Sequence, residues 1–172
     1  LNNTAWAPFP PSRLYFHMGG TSMATPLVAG AAAVVREYLR KKAGISNPSA
    51  ALIKAALIAG AGRLSGLAPA NTLGDNHQGF GRVSLDAVLS PKTPAKALFR
   101  DVKPGLKTGG ARTVEVEVLS KKVPLKVVPA YSDFPGRSLV NNLNLIVESP
   151  TGKSFSGNQP PGKPPTLDKA NN

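Results

Sequence analysis

The chain contains no cysteine, few aromatic residues and no long apolar run. Without cysteine, its 172 residues can form neither a disulfide framework nor a thiolate metal site, and secretion is neither required nor excluded. Aromatic residues make up only 6%, whereas glycine and proline number 17 each, so we expect many turns and a modest core. No apolar run reaches about 18 residues, and no charged segment precedes an apolar core at the N-terminus. The sequence therefore predicts neither a membrane span nor a signal peptide.

Acidic residues are also scarce, with nine against 21 basic ones, which gives a net charge of +12. The excess is spread along the chain: residues 1–91 carry eight Lys and Arg against three acidic residues, and residues 92–172 carry thirteen against six. The densest clusters, Arg40-Lys41-Lys42 and Lys121-Lys122, are predicted at a helix C-terminus and a hairpin turn, where cations are ordinary. Since no aromatic residues alternate with them as a base-stacking surface needs, we expect neither a nucleic-acid nor a membrane partner.

The most informative stretch is Gly19-Gly20-Thr21-Ser22-Met23-Ala24-Thr25-Pro26 with the small and apolar residues after it. Their spacing predicts a helix from about Ser22 to Arg40, buried on nearly all sides, and Gly30 inside it suggests close packing against a sheet. Ser22 would stand at the helix N-terminus, either as a plain cap or as a nucleophile whose oxyanion the open N–H groups stabilise. Pro26 favours the nucleophile, because it removes the N–H that would bond to the Ser22 carbonyl.

The remaining chain divides by composition at Pro91-Lys92-Thr93-Pro94. Before this boundary we predict a short strand at 14–16, a second helix that starts at Ser46-Asn47-Pro48 and continues over 50–59, a polar loop at 71–78 and a short helix at 84–89. After it, strict alternation predicts a half-buried strand at 113–118, and 125–128 and 143–147 are interpreted as further strands. We therefore expect two units, residues 1–91 and residues 92–172.

Gly20-Thr21-Ser22-Met23-Ala24-Thr25-Pro26, with Val28-Ala29-Gly30 after it, resembles the nucleophile segment of subtilisin-like serine proteases, the subtilases of peptidase family S8. Gln78-Gly79-Phe80-Gly81-Arg82-Val83 resembles the element that closes the catalytic domain in this family. The resemblance implies an α/β fold in which residues 1–91 are the C-terminal part of a subtilisin-like three-layer domain. It implies Ser22 as nucleophile and its own N–H as an oxyanion donor, in a turn shaped by Gly20, Thr21 and Met23. The parent protein would be a secreted or extracellular endopeptidase that hydrolyses protein or peptide substrates through an acyl-enzyme.

Three phrases of the second unit resemble the β-sandwich appended to one group of alkaline subtilases: 130–136, 139–145 and 150–152. We expect residues 92–172 to be a partial antiparallel, jelly-roll-like β-sandwich, truncated at its C-terminal side. The middle phrase usually reads Leu-Val-Asn-Asp-Leu-Asp-Leu, but this chain has Asn142 and Asn144 at both acidic positions. Neutral amides weaken a calcium site, so Asp133, Asn142 and Asn158 are interpreted as turn residues. We expect no cofactor here, and calcium in the parent stays open.

The family mechanism also needs an aspartate, a histidine and an oxyanion asparagine, which all precede the serine. Residues 1–21 contain no acidic residue, and the only histidines, His17 and His77, match no catalytic position. Asn2 and Asn3 lie too near Ser22 to be the oxyanion asparagine. Together with a first residue that is not Met, this predicts a piece of a longer precursor, inactive alone, whose partner is the upstream half of the same catalytic domain. The alternative is a non-catalytic subtilase-fold module with a binding or structural role.

Overall fold

A computed structural model describes residues 7–9, 11–66 and 77–158. It combines helices with two small antiparallel sheets. The elements in chain order are β1 (Ala7–Pro8), β2 (Phe16–His17), α1 (Thr21–Lys41), α2 (Ala50–Gly60), α3 (Asp86–Leu89), β3 (Ile146–Glu148) and β4 (Ser154–Ser156). β1 pairs with β2, and β3 pairs with β4. None of the helices in the described ranges has both the length and the apolarity that crossing a bilayer requires.

The core lies between α1 and α2 and is closed by α3. Val35 and Leu39 are fully buried, and they pack with Leu52 and Ala56 of α2 and Val88 of α3. Residues four apart share one face of a helix, so Val35 and Leu39 form a single apolar ridge in the C-terminal half of α1. That ridge fixes α1 against α2.

The predicted first helix is confirmed within one residue at each end, but its predicted burial is wrong. Its buried residues are Ala31, Val35 and Leu39, whereas Leu27 and Val28 in the N-terminal half are exposed. Gly30 does not pack closely either, because a Cβ placed there would meet no atom within 4 Å. The physical reason is that no described element lies over this half of α1.

The second helix begins two residues later than predicted, at Ala50 rather than Pro48, with Ser49 rather than Asn47 as its cap. The Ser49 hydroxyl accepts a hydrogen bond from the Leu52 amide at 3.1 Å, which is the usual N-cap contact. Asn47 precedes Pro48, and the proline ring disfavours a helical backbone at the residue before it. Asn47 and Ser49 can both cap a helix, and Pro48 between them disfavours the cap at Asn47.

The element that closes the first half pairs with the chain just after α2. Gly62 and Arg82 exchange two backbone hydrogen bonds, of 2.9 and 2.8 Å. Gly81 has φ +115°, and a Cβ there would lie 2.4 Å from the Gly62 carbonyl oxygen. Only glycine fits such an approach.

In the second half, the structure has only the β3–β4 hairpin within its described residues. The strand predicted at 143–147 is observed as β3, which begins three residues later, at Ile146. The strand predicted at 14–16 is observed as β2, which begins two residues later, at Phe16. The segment 113–118 forms no strand, and Val114, Val116 and Val118 are exposed. A strand needs a partner for its backbone N–H and C=O groups, and no described residue supplies one here. The partial β-sandwich and the boundary at Pro91 stay predictions, and Asn2, Asn3 and most of the loop at 71–78 lie outside the described residues.

Candidate functional site

Ser22 lies in the first turn of α1 and its side chain is exposed. Gly20, the N-cap, has φ +143° and ψ 177°, a backbone region that is essentially restricted to glycine. Because Gly20 has no side chain, no capping group competes for the first amides of the helix. Gly20 therefore turns the chain sharply into α1 and leaves Ser22 accessible.

The backbone of the first turn keeps two N–H groups open. The Gly20 carbonyl accepts hydrogen bonds from the Met23 and Ala24 amides, both at 3.1 Å. The N–H groups of Thr21 and Ser22 donate no hydrogen bond to any described residue. At the positive end of a 21-residue helix, two such donors form a favourable environment for an oxyanion.

Two side chains shape the turn around Ser22. The Thr25 hydroxyl donates to the Thr21 carbonyl at 2.7 Å, which links the first and second turns of the helix. Pro26 lies inside α1 and has no N–H, so it gives the Ser22 carbonyl no partner four residues on. Met23 is half-buried beneath the turn. Sequence reasoning missed Thr25, although a threonine four residues after Thr21 is the spacing at which this bond forms.

No general base accompanies the serine in the described part of the chain. No described side chain makes a hydrogen bond to the Ser22 hydroxyl. His17, in β2, lies with its ring edge-on to Phe9, at 5.2 Å between centroids and 65° between planes. His77 is exposed in the turn that leads to Gly81. The described residues thus place an exposed serine hydroxyl beside two open N–H groups, and no described imidazole is hydrogen-bonded to that hydroxyl.

The Asp133 carboxylate is hydrogen-bonded within its own loop. Its carboxylate accepts hydrogen bonds from the amides of Phe134, Val140 and Asn141 and from the Asn141 side chain, at 2.7 to 3.2 Å. Burial raises the pKa of Asp133, but these hydrogen bonds outweigh it and hold the pKa below the ordinary value of 3.8. The Tyr131 hydroxyl closes the same loop by donating to the Asn141 carbonyl at 2.7 Å. With both oxygens occupied by N–H donors, Asp133 acts as a turn residue, as its sequence context indicates.

Residues 3–81 match the Subtilase family model. The matched segment, somewhat under half of the chain, includes Ser22, its supporting turn, α1, α2 and the glycine of the closing element. The match supports the subtilase family and a serine-protease lineage for residues 3–81, in agreement with the resemblance drawn from Gly20 to Pro26. No curated protein and no solved structure matches the chain.

Proposed function

We propose that this chain carries the nucleophile segment of a subtilisin-like serine endopeptidase, with Ser22 as the attacking residue. The observation that carries the proposal is the exposed Ser22 at the N-terminus of α1, beside two open N–H groups and after a turn that only glycine adopts. It lies within the segment that matches the subtilase family. An N-cap serine would instead accept a bond from its own helix, as Ser49 does in α2.

In this proposal Ser22 Oγ attacks the carbonyl carbon of a peptide bond while a histidine removes the hydroxyl proton. The oxyanion accepts a hydrogen bond from the Ser22 N–H, and the amine leaves with the proton returned by the histidine. Water then attacks the acyl-enzyme while the histidine removes its proton, and the histidine returns that proton to Ser22 Oγ as the acid product leaves. The histidine, its aspartate and the oxyanion asparagine would come from an upstream half of the catalytic domain, outside these 172 residues. Alone, the chain would be inactive, because a serine hydroxyl without a base is a weak nucleophile.

The exposed half of α1 supports an upstream partner. Leu27 and Val28 are exposed apolar residues in the N-terminal half of a helix whose C-terminal half is packed. A helix that is apolar on nearly all sides is normally buried. We propose that the upstream half covers this surface, that protein or peptide substrates bind across the completed cleft, and that the parent is extracellular. Residues 92–172 would belong to a partial β-sandwich whose remaining strands pair with 113–118.

The second candidate is a non-catalytic module with the subtilase fold and a binding or structural role. The lack of a base within hydrogen-bond reach of Ser22 in the described residues favours it. The backbone at Gly20 argues against it, since a sparsely populated conformation costs about 1–3 kcal/mol and persists mainly where function needs it. An experiment on serine reactivity separates the two candidates.

Fluorophosphonate labelling tests the proposal when it is applied to this chain and to its full-length parent. We expect the parent to be labelled at Ser22, as mapped by mass spectrometry, and the 172-residue chain to remain unlabelled. Ser22→Ala should abolish the labelling, whereas Ser46→Ala, at an exposed serine, should leave it unchanged. A folded parent that takes up no label would refute catalysis at Ser22 and favour the binding module. Labelling of the chain alone would refute the claim that the base lies outside it.

A further inference from the structure

Helix α2 lacks the charged residues that normally stabilise helix ends. It has no acidic residue in its first turn and no basic residue in its last turn. Favourable charges at these positions complement the helix dipole and the unpaired backbone groups. The second half of the chain supplies both of them.

At the N-terminus of α2, Asp101 completes a capping box across 52 residues of sequence. Its carboxylate accepts from the Ser49 amide at 2.9 Å and from the Ser49 hydroxyl at 2.7 Å, while that hydroxyl accepts from the Leu52 amide. In a local capping box the acid is three residues after the cap, but that position is Leu52 here. The Asp101 side chain is only 11% exposed, and Lys103 pairs with it at 3.1 Å.

At the C-terminus of α2, Lys126 performs the opposite role. Its ammonium group donates to the Ile58 carbonyl at 2.9 Å and to the Ala61 carbonyl at 3.3 Å. The Ile58 carbonyl also accepts from the amide of the C-cap residue Ala61 at 3.2 Å, so Lys126 adds a second donor there and opposes the negative end of the dipole.

Phe99, two residues before Asp101, contacts α1. Its ring packs against the α1–α2 core and lies edge-on to Tyr38 of α1, at 6.2 Å between centroids. Phe99, Asp101 and Lys126 therefore contact the helix pair at three separated points, two of them the ends of α2. We refer to residues 99–126 as the strap.

We propose that the strap holds α2 at both ends and joins it with α1 into one cooperative folding unit. Residues 99–126, which follow the predicted boundary at Pro91, then fold together with the unit that carries Ser22. Since α1 packs mainly through its C-terminal half against α2, the strap also stabilises the helix on which Ser22 lies. It acts on folding whether or not Ser22 is a nucleophile.

Hydrogen exchange of the whole chain, followed by mass spectrometry, tests the strap. Asp101→Asn and Lys126→Met should each reduce the protection of amides in α2 by about 2- to 30-fold, the range that a lost helix cap produces. Amides in the C-terminal half of α1 should lose protection in parallel, because the unit opens together. The β3–β4 hairpin, which lies beyond the strap, should keep its protection.

Matched controls remove the same charges from the strap where no contact to α2 is made. Glu117→Gln controls for Asp101→Asn, and Lys122→Met for Lys126→Met; both side chains are exposed. A double-mutant cycle of Ser49→Ala and Asp101→Asn in urea measures the same contact, because a real contact makes their effects non-additive. If Asp101→Asn unfolds, Lys126→Met and its control still decide the matter through the protection of α2. Unchanged α2 protection in both strap variants, an equal loss in the controls, or additivity in the cycle would each overturn the strap.

Discussion

A leucine-to-alanine substitution should have very different effects on stability in the two halves of α1. Leu39 is 0% exposed in the core, whereas Leu27, three turns earlier, is 75% exposed. In this chain, Leu39→Ala removes a fully packed side chain and should lower the free energy of unfolding by about 2–5 kcal/mol. Leu27→Ala removes little buried surface, so it should change the stability by no more than about 0.5 kcal/mol.

Urea denaturation monitored by circular dichroism at a helix wavelength measures both effects. The slope with urea should be the same for the two variants, since neither changes the surface exposed on unfolding by much. The midpoint should move only for Leu39→Ala. Equal losses in the two variants would refute the reasoning, because they would mean that the N-terminal half of α1 is buried in this chain too.

The same pair of variants in the full-length parent tests the proposed upstream partner. If the upstream half covers the N-terminal half of α1, Leu27→Ala should there cost about as much as Leu39→Ala, that is about 2–5 kcal/mol. A Leu27→Ala variant of the parent as stable as the unsubstituted protein would contradict the proposed coverage. The comparison needs no catalytic activity, so it stands apart from the labelling of Ser22.

Three further outcomes are expected. Gly20→Ala should destabilise the chain by about 1–3 kcal/mol, since alanine disfavours the backbone at φ +143°, and should abolish fluorophosphonate labelling of the parent. Gly30→Ala should stabilise this chain by about 1 kcal/mol through helix propensity, whereas Gly60→Ala should destabilise it, because the new Cβ would lie 2.6 Å from the Ser84 carbonyl oxygen; thermal melts of the two variants compare them. Burial raises the pKa of Asp101, but hydrogen bonds from Ser49 and Lys103 outweigh it and lower the pKa below 3.8, so its stabilisation is complete above that pH and is lost as the pH falls through the folded-state value. Asp101→Asn should therefore be less stable than the unsubstituted chain at about pH 5, and the difference should shrink progressively as the pH falls below 3.8, in urea titrations.

Local signals in the sequence predicted the helices well. The residues after Ser22 repeat with helical spacing and end in a basic turn, and α1 runs from Thr21 to Lys41 as that pattern requires. The position of Ser22 in the first turn of α1 was also predictable from its neighbours, because the glycines before it and Pro26 after it are local features of one turn. The start of α2 was misplaced only because two capping residues flank Pro48.

Contacts between distant residues were not predictable in the same way. Nothing near Ser49 in the sequence indicates Asp101, since the acid of a capping box is normally three residues away rather than 52. Likewise Lys126 lies in the segment interpreted as a strand, 125–128, and its hydrogen bond to the Ile58 carbonyl joins residues 68 apart in the sequence. The absence of charged residues in the end turns of α2 was the one available signal, and it indicates that a partner is needed without saying which.

The exposed half of α1 and the exposed valines of 113–118 have a common physical origin. In each case the periodicity of the sequence marks an apolar face, and in each case no described residue covers it. Periodicity specifies that a surface is to be buried, whereas the partner is specified by the rest of the fold. Within this chain α2 has such partners, because it packs against α1 and α3 and is contacted at its two ends by Asp101 and Lys126. Burial thus follows the supply of partners: it is high in α2 and low at the turn that presents Ser22, where a catalytic domain would add its remaining half.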